Sequence, residues 1–323
     1  AVYNRPEELD ELLHSIRKQN PGNEIEVVVV DDGSDNRSNL VVEKHVDSVY
    51  IKYCFKKNTG PGDSRNFGME RASGDYFIIL DSDCILPDHY LEHVSRALQE
   101  NYTDAYGGPD TAHPSFSAKQ KAINYSMTSL LSTGGLRGSE GADQKFQLRS
   151  FNMGLSKKAF LLTGGFAKQR IGEDIDLNFR LKKHRCSARY MPEAFVYHKR
   201  RSSWREFFHQ TRNFGAARPL LSKMHPGTGK LSYWLPSLFV TGLFVAAVLY
   251  YFDFYLPLLI YGLYFLAVGL DSTVKNKSLL VGFLSVLAVL VQFLGYGSGF
   301  LRSIYRLYLL RKTVTQTFPG MFT

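Results

Sequence analysis

Three charge-free stretches in the last third of the chain, residues 231–252, 254–270 and 278–301, limit what it can fold into more than any other feature. A helix needs about 20 apolar residues to cross a bilayer, and backbone at that depth must satisfy its own hydrogen bonds. The first and third stretches are long enough to span, and the second sits at the short limit. Asp253 leaves room only for a hairpin between the first two. Just ahead of them, residues 199–230 carry Lys199, Arg200, Arg201, Arg205, Arg212, Arg218, Lys223 and Lys230 against one acid, Glu206. Cations beside an apolar span meet anionic headgroups, so membrane lipids, and not nucleic acid, are the expected partners of this charge. Trp204, Phe207, Phe208 and Thr211 recur at i, i+3, i+4 and i+7, which predicts a basic amphipathic helix lying in the interface. Arg302, Arg306, Arg311 and Lys312 decorate a final amphipathic segment. Three crossings from a cytosolic start would leave that tail outside, against the positive-inside rule. Either one segment is re-entrant, or the rule fails here, or a fourth crossing lies beyond residue 323.

The first two thirds read differently. Pro6-Glu7-Glu8 opens a helix whose apolar stripe is Leu9, Leu12, Leu13 and Ile16. Residues 25–30 form a β-branched strand ending in Asp31-Asp32-Gly33-Ser34. A short helix over 39–44 and a strand over 49–55 follow, an alternation that argues for a parallel α/β sheet. A glycine loop, Asn58-Thr59-Gly60-Pro61-Gly62, runs into a helix carrying Arg65. It lacks the ending of a P-loop, but a helix start beside an arginine favours an anion such as a diphosphate. The apolar run Phe77–Leu80 then reads as a strand buried on both faces and stops at Asp81-Ser82-Asp83. Side-chain alternation puts those two carboxylates on one side of the chain. Two such neighbours at a buried strand end repel unless a cation sits between them, and hard oxygen ligands suit Mg2+ or Mn2+. Further strands are expected over 104–109, 151–155 and 194–197, and helices over 87–98 and 157–162. Residues 134–139 read as a loop over a site. Glu173 and Asp174 fall in the first turn of a helix, where acids also serve the dipole, and the same role suits Asp176. Three widely spaced cysteines, Cys54, Cys84 and Cys186, match no zinc pattern and read as reduced thiols. The chain opens on Ala1-Val2-Tyr3-Asn4, so its first strand is expected to be incomplete.

Taken in order, Val2-Tyr3-Asn4, the DDGS of 31–34, the glycine loop with Arg65-Asn66, the DSD of 81–83 and Glu173-Asp174 resemble a family-2 nucleotide-sugar glycosyltransferase of the GT-A fold. The resemblance covers residues 1–200. The basic, aromatic segment 198–218 with its trailing spans resembles bacterial membrane-bound members that build exopolysaccharide or lipid-linked glycans, which divides the rest of the chain into an interfacial segment, 201–230, and a transmembrane region, 231–323. The resemblance implies that Tyr3 stacks on the nucleotide base and Asp32 accepts its imide N–H. It implies that Asp81 holds the ribose or a metal-bound water, and that Asp83 ligates a divalent metal bridging the diphosphate. Arg65 would lie near the donor, and Asp174, beside Glu173, would be the general base of a single inverting displacement. His198 is a candidate third ligand or a plain surface residue.

The expected partners are a nucleotide sugar, UDP-linked by base rate, and a lipid-linked or glycan acceptor contacted from Trp204, Gln210 and Arg212. The expected location is the inner cell membrane, multi-pass, with the catalytic domain in the cytoplasm. Processive synthases carry Gln-x-x-Arg-Trp on an interfacial helix. Here Gln210 is followed by Asn213 and Phe214 at those places, which favours transfer of one sugar over polymerisation. Transfer onto a polyprenyl phosphate stays open beside transfer onto a lipid-linked glycan. An inert scaffold or nucleotide sensor is the reading of another class; loss of Asp83 or Asp174 would have favoured it, and both are present.

Overall fold

The structure, a computed structural model, describes residues 1–20, 25–134 and 147–319. They fall into two compact units. One comprises 1–113 and 147–199, the other 114–134 and 200–319.

The first unit is the α/β part. It runs α1 (Pro6–Arg17), β1 (Glu26–Asp31), α2 (Asn39–Glu43), β2 (Tyr50–Phe55), α3 (Pro61–Arg71), β3 (Tyr76–Leu80), β4 (Cys84–Ile85), α4 (Tyr90–Glu100), β5 (Ala105–Gly107) and β6 (Asp110–Thr111). In the second unit α5 (Ala118–Thr128) and α6 (Leu130–Thr133) follow. The chain then re-enters the first with β7 (Asn152–Ser156), α7 (Lys157–Thr163), α8 (Glu173–Lys183), β8 (Ala188–Tyr190) and β9 (Val196–His198). Pairing is parallel in β1–β2, β5–β8 and β6–β9, and antiparallel in β3–β7, β5–β7 and β4–β9. Because β7 lies reversed between β3 and β5, the strands β3, β5 and β8 still share one direction. The sheet is thus mixed where a mostly parallel one was expected. Val2 adds a single parallel bridge to Asp31, its N–H donating to Val30 O at 2.8 Å.

The run Phe77–Leu80 alternates. Phe77 and Ile79 are buried in a cluster with Met153, Leu155 and Leu177, whereas Ile78 and Leu80 lean on the layer that holds Leu9, Leu13 and Tyr90. The strand therefore stands between two apolar layers, which fixes where its carboxyl end emerges.

The second unit is helical: α9 (Trp204–Met224), α10 (Leu235–Tyr251), α11 (Leu256–Asn276), α12 (Leu279–Ile304), a π-helical turn over Tyr305–Leu309 and α13 (Val314–Thr317). Three stretches, Leu231–Tyr251, Leu256–Asn276 and Leu279–Leu309, are long and apolar enough to cross a membrane. The second reaches past the expected end at residue 270 and includes Asp271 and Lys275, which pair at 2.9 Å. The segment expected to lie in the interface packs on the third span. Phe207 and Thr211 of α9 are buried, and Gly215 and Gly299 let the α9 and α12 backbones touch. A Cβ on Gly215 would meet Tyr296 O, and one on Gly299 would meet Arg212 O, each at 2.0 Å. Residues 114–134, expected within the 1–200 domain, belong here because Ala122, Ile123 and Met127 of α5 pack with Phe207, Val281 and Ala288.

Candidate active site

At the end of β1 two adjacent carboxylates do different work. Asp31 is fully buried and accepts from Ser34 N at 2.9 Å, Ser38 N at 3.1 Å and Tyr53 Oη at 2.9 Å. It organises the turn, and burial together with this hydrogen bond pushes the Tyr53 phenol up to about 12. Asp32 binds the glycine loop: Thr59 N donates at 3.0 Å, Gly60 N at 2.9 Å and Lys56 Nζ at 2.8 Å. Gly60 takes φ +100° beside this carboxylate, a backbone region that a residue with a Cβ enters only with strain. A carboxylate has about four acceptor positions, so one stays open on Asp32 for a further donor. Tyr3, directly after the bridge to Asp31, is half exposed.

Arg65, expected near the donor, joins two of the acidic clusters. It is buried, donates to Asp81 Oδ1 at 2.6 Å and to Glu173 Oε1 at 2.9 Å, and lies over the Phe166 ring at 5.3 Å. One guanidinium thus ties the end of β3 to the first turn of α8. Desolvation alone would lower its pKa, but the two carboxylates outweigh that and hold it above its ordinary value. Burial pushes Glu173 up to about 7, with Arg65 opposing and Asp174 adding to the rise.

Asp174 sits beside it in a wetter place. Its Oδ1 accepts from Ile175 N at 2.8 Å, and its Oδ2 lies 3.7 Å from Arg149 Nη1. Asp176 is held by the chain itself. Its Oδ2 takes both Nε and Nη2 of Arg180, at 2.8 and 2.6 Å, so it serves the helix.

Two residues on from Asp81, Asp83 is buried. Its Oδ2 takes Arg5 Nη1 at 2.5 Å, and its Oδ1 lies 3.1 Å from His198 Nε2 without a donor at hydrogen-bonding geometry. Burial raises its pKa, but the charges of His198 and Arg5 outweigh it and leave Asp83 at about 2. His198 is brought there by the β4–β9 pairing, in which Cys84 faces His198. It stacks on Phe151 and places Nδ1 3.6 Å from Asp110 Oδ2. Asp83, Cys84 and His198 put ligand atoms within 4.8 Å of one another. Burial holds the Cys84 thiol well above its ordinary pKa, and its Sγ donates to Phe151 O at 3.4 Å. Cys84 is therefore a packing residue. The remaining carboxylate and imidazole, with one buried carboxylate oxygen lacking a donor, fit a divalent cation such as Mn2+ or Mg2+.

Asp32, Arg65, Asp81, Asp83, Glu173, Asp174 and His198 all lie in the α/β unit. Trp204, Gln210 and Arg212 lie on α9 in the other. Residues 135–139 of the expected loop lie outside the described residues. Arg5, Arg149 and Asp110 were not singled out from sequence. Their only mark there is a lone charge near an element's end, and their partners are far away along the chain.

Residues 1–160 match the model of glycosyl transferase family 2. The stretch of 106 residues similar to the poly(ribitol-phosphate) beta-N-acetylglucosaminyltransferase TarS of Staphylococcus aureus is 34% identical and covers 32% of this chain and 18% of that protein. A 98-residue stretch is 35% identical to the putative glycosyltransferase EpsH of Bacillus subtilis, covering 30% of this chain and 28% of the relative. The chain thus spans less than a third of either relative. The mannosyltransferase PcManGT of Pyrobaculum calidifontis, solved with GDP-Man and Mn2+, superposes with a TM-score of 0.58 at 14% identity, over 94% of this chain and 85% of that one. Such a likeness speaks for the shared GT-A fold.

Proposed function

Through its first 160 residues the chain belongs to glycosyltransferase family 2, and from that premise we propose that it transfers one sugar, with inversion, from a nucleoside-diphosphate sugar to a membrane-associated acceptor. The observation that carries this reading is the Arg65 bridge, which joins the acids at the end of β3 to those opening α8. A displacement at an anomeric carbon needs two groups on opposite faces: one that steadies the leaving diphosphate, and one that takes the acceptor's proton. The end of β3 supplies the first and α8 the second.

In this reading Tyr3 lies under the base and Asp32 gives its open acceptor position to a ring N–H. That leaves uracil, thymine and guanine as candidates, with a UDP-sugar the base-rate choice. Asp81 faces the ribose. Asp83 and His198 would hold the divalent metal, with Asp110 behind the imidazole, an arrangement that fixes a ligand's orientation. When bound, the metal supplies Lewis-acid stabilisation to the departing diphosphate. Arg5 occupies Asp83 Oδ2 and keeps that carboxylate ionised. Asp174, whose Oδ2 is not held by a close donor, takes the acceptor's proton. Glu173, raised by burial, is clamped to Arg65, so its part is to position that guanidinium.

The acceptor is read as lipid-linked because three apolar helices follow the catalytic unit in the same chain, and the site is then cytoplasmic, at the inner membrane. The test uses detergent-solubilised full chain and a panel of nucleotide sugars with Mn2+ or EDTA. One donor should bind with metal; EDTA and Asp83→Ala should each weaken that binding at least tenfold. If no donor binds with metal present, the reading fails and an inert scaffold takes its place.

A further inference from the structure

The helical unit holds fifteen Lys and Arg but three acids, Glu206, Asp253 and Asp271. Asp271 is engaged by Lys275 and Tyr125. No acid lies between Glu206 and Asp253, and none follows Asp271. Glu206 stands in the first turn of α9, so Arg212 and the cations at the end of α12 have no carboxylate within one helical turn along their own helix.

Three of them converge. Gly299 is in backbone contact with Arg212, Arg302 follows at i+3 on α12, and Arg306 stands in the turn that continues that helix. The charges of Arg306 and Arg212 both act on Arg302. Arg306 lies in the π-helical turn and donates to Thr317 O at 3.2 Å, which folds the tail back beside it. Lys223 closes the other side by donating to Leu307 O and Lys312 O, each at 3.3 Å. Like charges held together by backbone contact repel, and the arrangement is stabilised when an anion lies between them.

Depth names the anion's carrier. From Leu279 to Leu301 α12 is free of charge, a rise of about 34 Å, close to the ~30 Å of a hydrocarbon core. Arg302 is the first charge beyond it, at the level of headgroups. Trp234 packs edge-on against Phe300, ring centroids 4.9 Å apart, and aromatics of this kind mark the same level. We propose that Arg212, Arg302 and Arg306 form a binding site for the phosphate of a membrane lipid. Guanidinium forks match phosphate oxygens in pairs, so a phosphomonoester or diphosphate headgroup is the fitting class. The inference deepens the proposed function, resting on its membrane-associated acceptor, and gives that acceptor's phosphate a place.

The test is native mass spectrometry of full-length detergent-solubilised chain with dipalmitoyl phosphatidic acid, dipalmitoyl phosphatidylcholine or inorganic diphosphate. The wild type should retain phosphatidic acid over phosphatidylcholine, and Arg302→Gln with Arg306→Gln should lose that retention at least tenfold. Arg302→Lys keeps the charge but not the fork and should fall between the wild type and the double variant. Lys275→Gln with Lys277→Gln removes as much charge beyond the opposite end of α12, about 37 Å from Arg302 by helical rise, and should leave retention unchanged. Equal retention by the arginine double variant, or equal loss in the lysine control, overturns the site. Displacement by equimolar inorganic diphosphate overturns its assignment to a lipid. Mn2+-dependent donor binding, measured on the same samples, reads the α/β unit separately. A failure of the proposed reaction there is thereby distinct from a failure here.

Discussion

Asp174 and Glu173 are neighbours on one helical turn, the second more buried and bonded to Arg65, and the difference predicts how their variants behave. Asp174→Asn keeps the size and the contact to Ile175 N but cannot take a proton. Donor binding should hold within about twofold while turnover falls by roughly 10²–10⁴, the usual range for general-base assistance; single-turnover kinetics beside equilibrium binding checks this. Glu173 should instead betray itself through stability. Its folded pKa is raised to about 7, so across pH 4.5 to 7 the folded state keeps a proton that the unfolded chain has lost. The stability this lends is complete below pH 4.5 and is lost as pH rises through 7. Thermal unfolding should show wild type losing Tm over that window relative to Glu173→Gln, which has nothing to ionise. Equal slopes would remove burial as the cause. Asp81, Asp83 and Glu173-Asp174 stand out in the sequence because each follows an apolar run or opens a helix. Arg5 and Arg149 do not, because what makes them part of the site is a partner 78 residues away for Arg5 and a near approach to Asp174 for Arg149.

Elements were legible wherever local chemistry decides them. The helix at Pro6, the strands that end in carboxylates and the glycine loop before α3 fall where residue order places them. The role of α9 was not, although its helicity was. Its periodic face of Trp204, Phe207, Phe208 and Thr211 suits a membrane surface as well as another helix, and period alone cannot choose between them. The choice is made by glycines about 80 residues away along the chain, at positions that in a single sequence look like ordinary small residues in an apolar helix. Gly299→Ala tests this directly. Its Cβ would fall 2.0 Å from Arg212 O, and backbone cannot yield as a flexible side chain does. The helices must part, at a cost of about 1–3 kcal/mol, against a gain near 1 kcal/mol from alanine's helix propensity. Detergent-solubilised Gly299→Ala should unfold at lower temperature than wild type. Gly262→Ala, with open space at its Cβ, should unfold at the same temperature or higher.

For the whole molecule, the sequence suggests a cut at residue 200, since the motifs end there and the basic segment begins. The tertiary contacts keep that cut, between Lys199 and Arg200, and add an excursion before it. Residues 114–134 leave the α/β unit and join the helical one, so among the described residues the chain passes between the units three times. Nothing local announces this, because Ala122, Ile123 and Met127 would suit the core of either unit equally well. The consequence concerns what can be expressed alone. A chain ending at residue 199 keeps α5 but removes Phe207, Val281 and Ala288, the residues that bury its apolar face. Three side chains of that kind left in water lose burial worth about 1.5–3 kcal/mol for each large one, and the uncovered face invites association. Residues 1–199 should therefore aggregate or co-purify with chaperones, and extension to residue 224 should improve solubility only in part, since Phe207 returns while the α12 residues do not. Replacing Ile123 and Met127 by Gln in the 1–199 chain should restore a monomer on size-exclusion chromatography. A wild-type 1–199 chain that is already monomeric would show that α5 is not held by the helical unit.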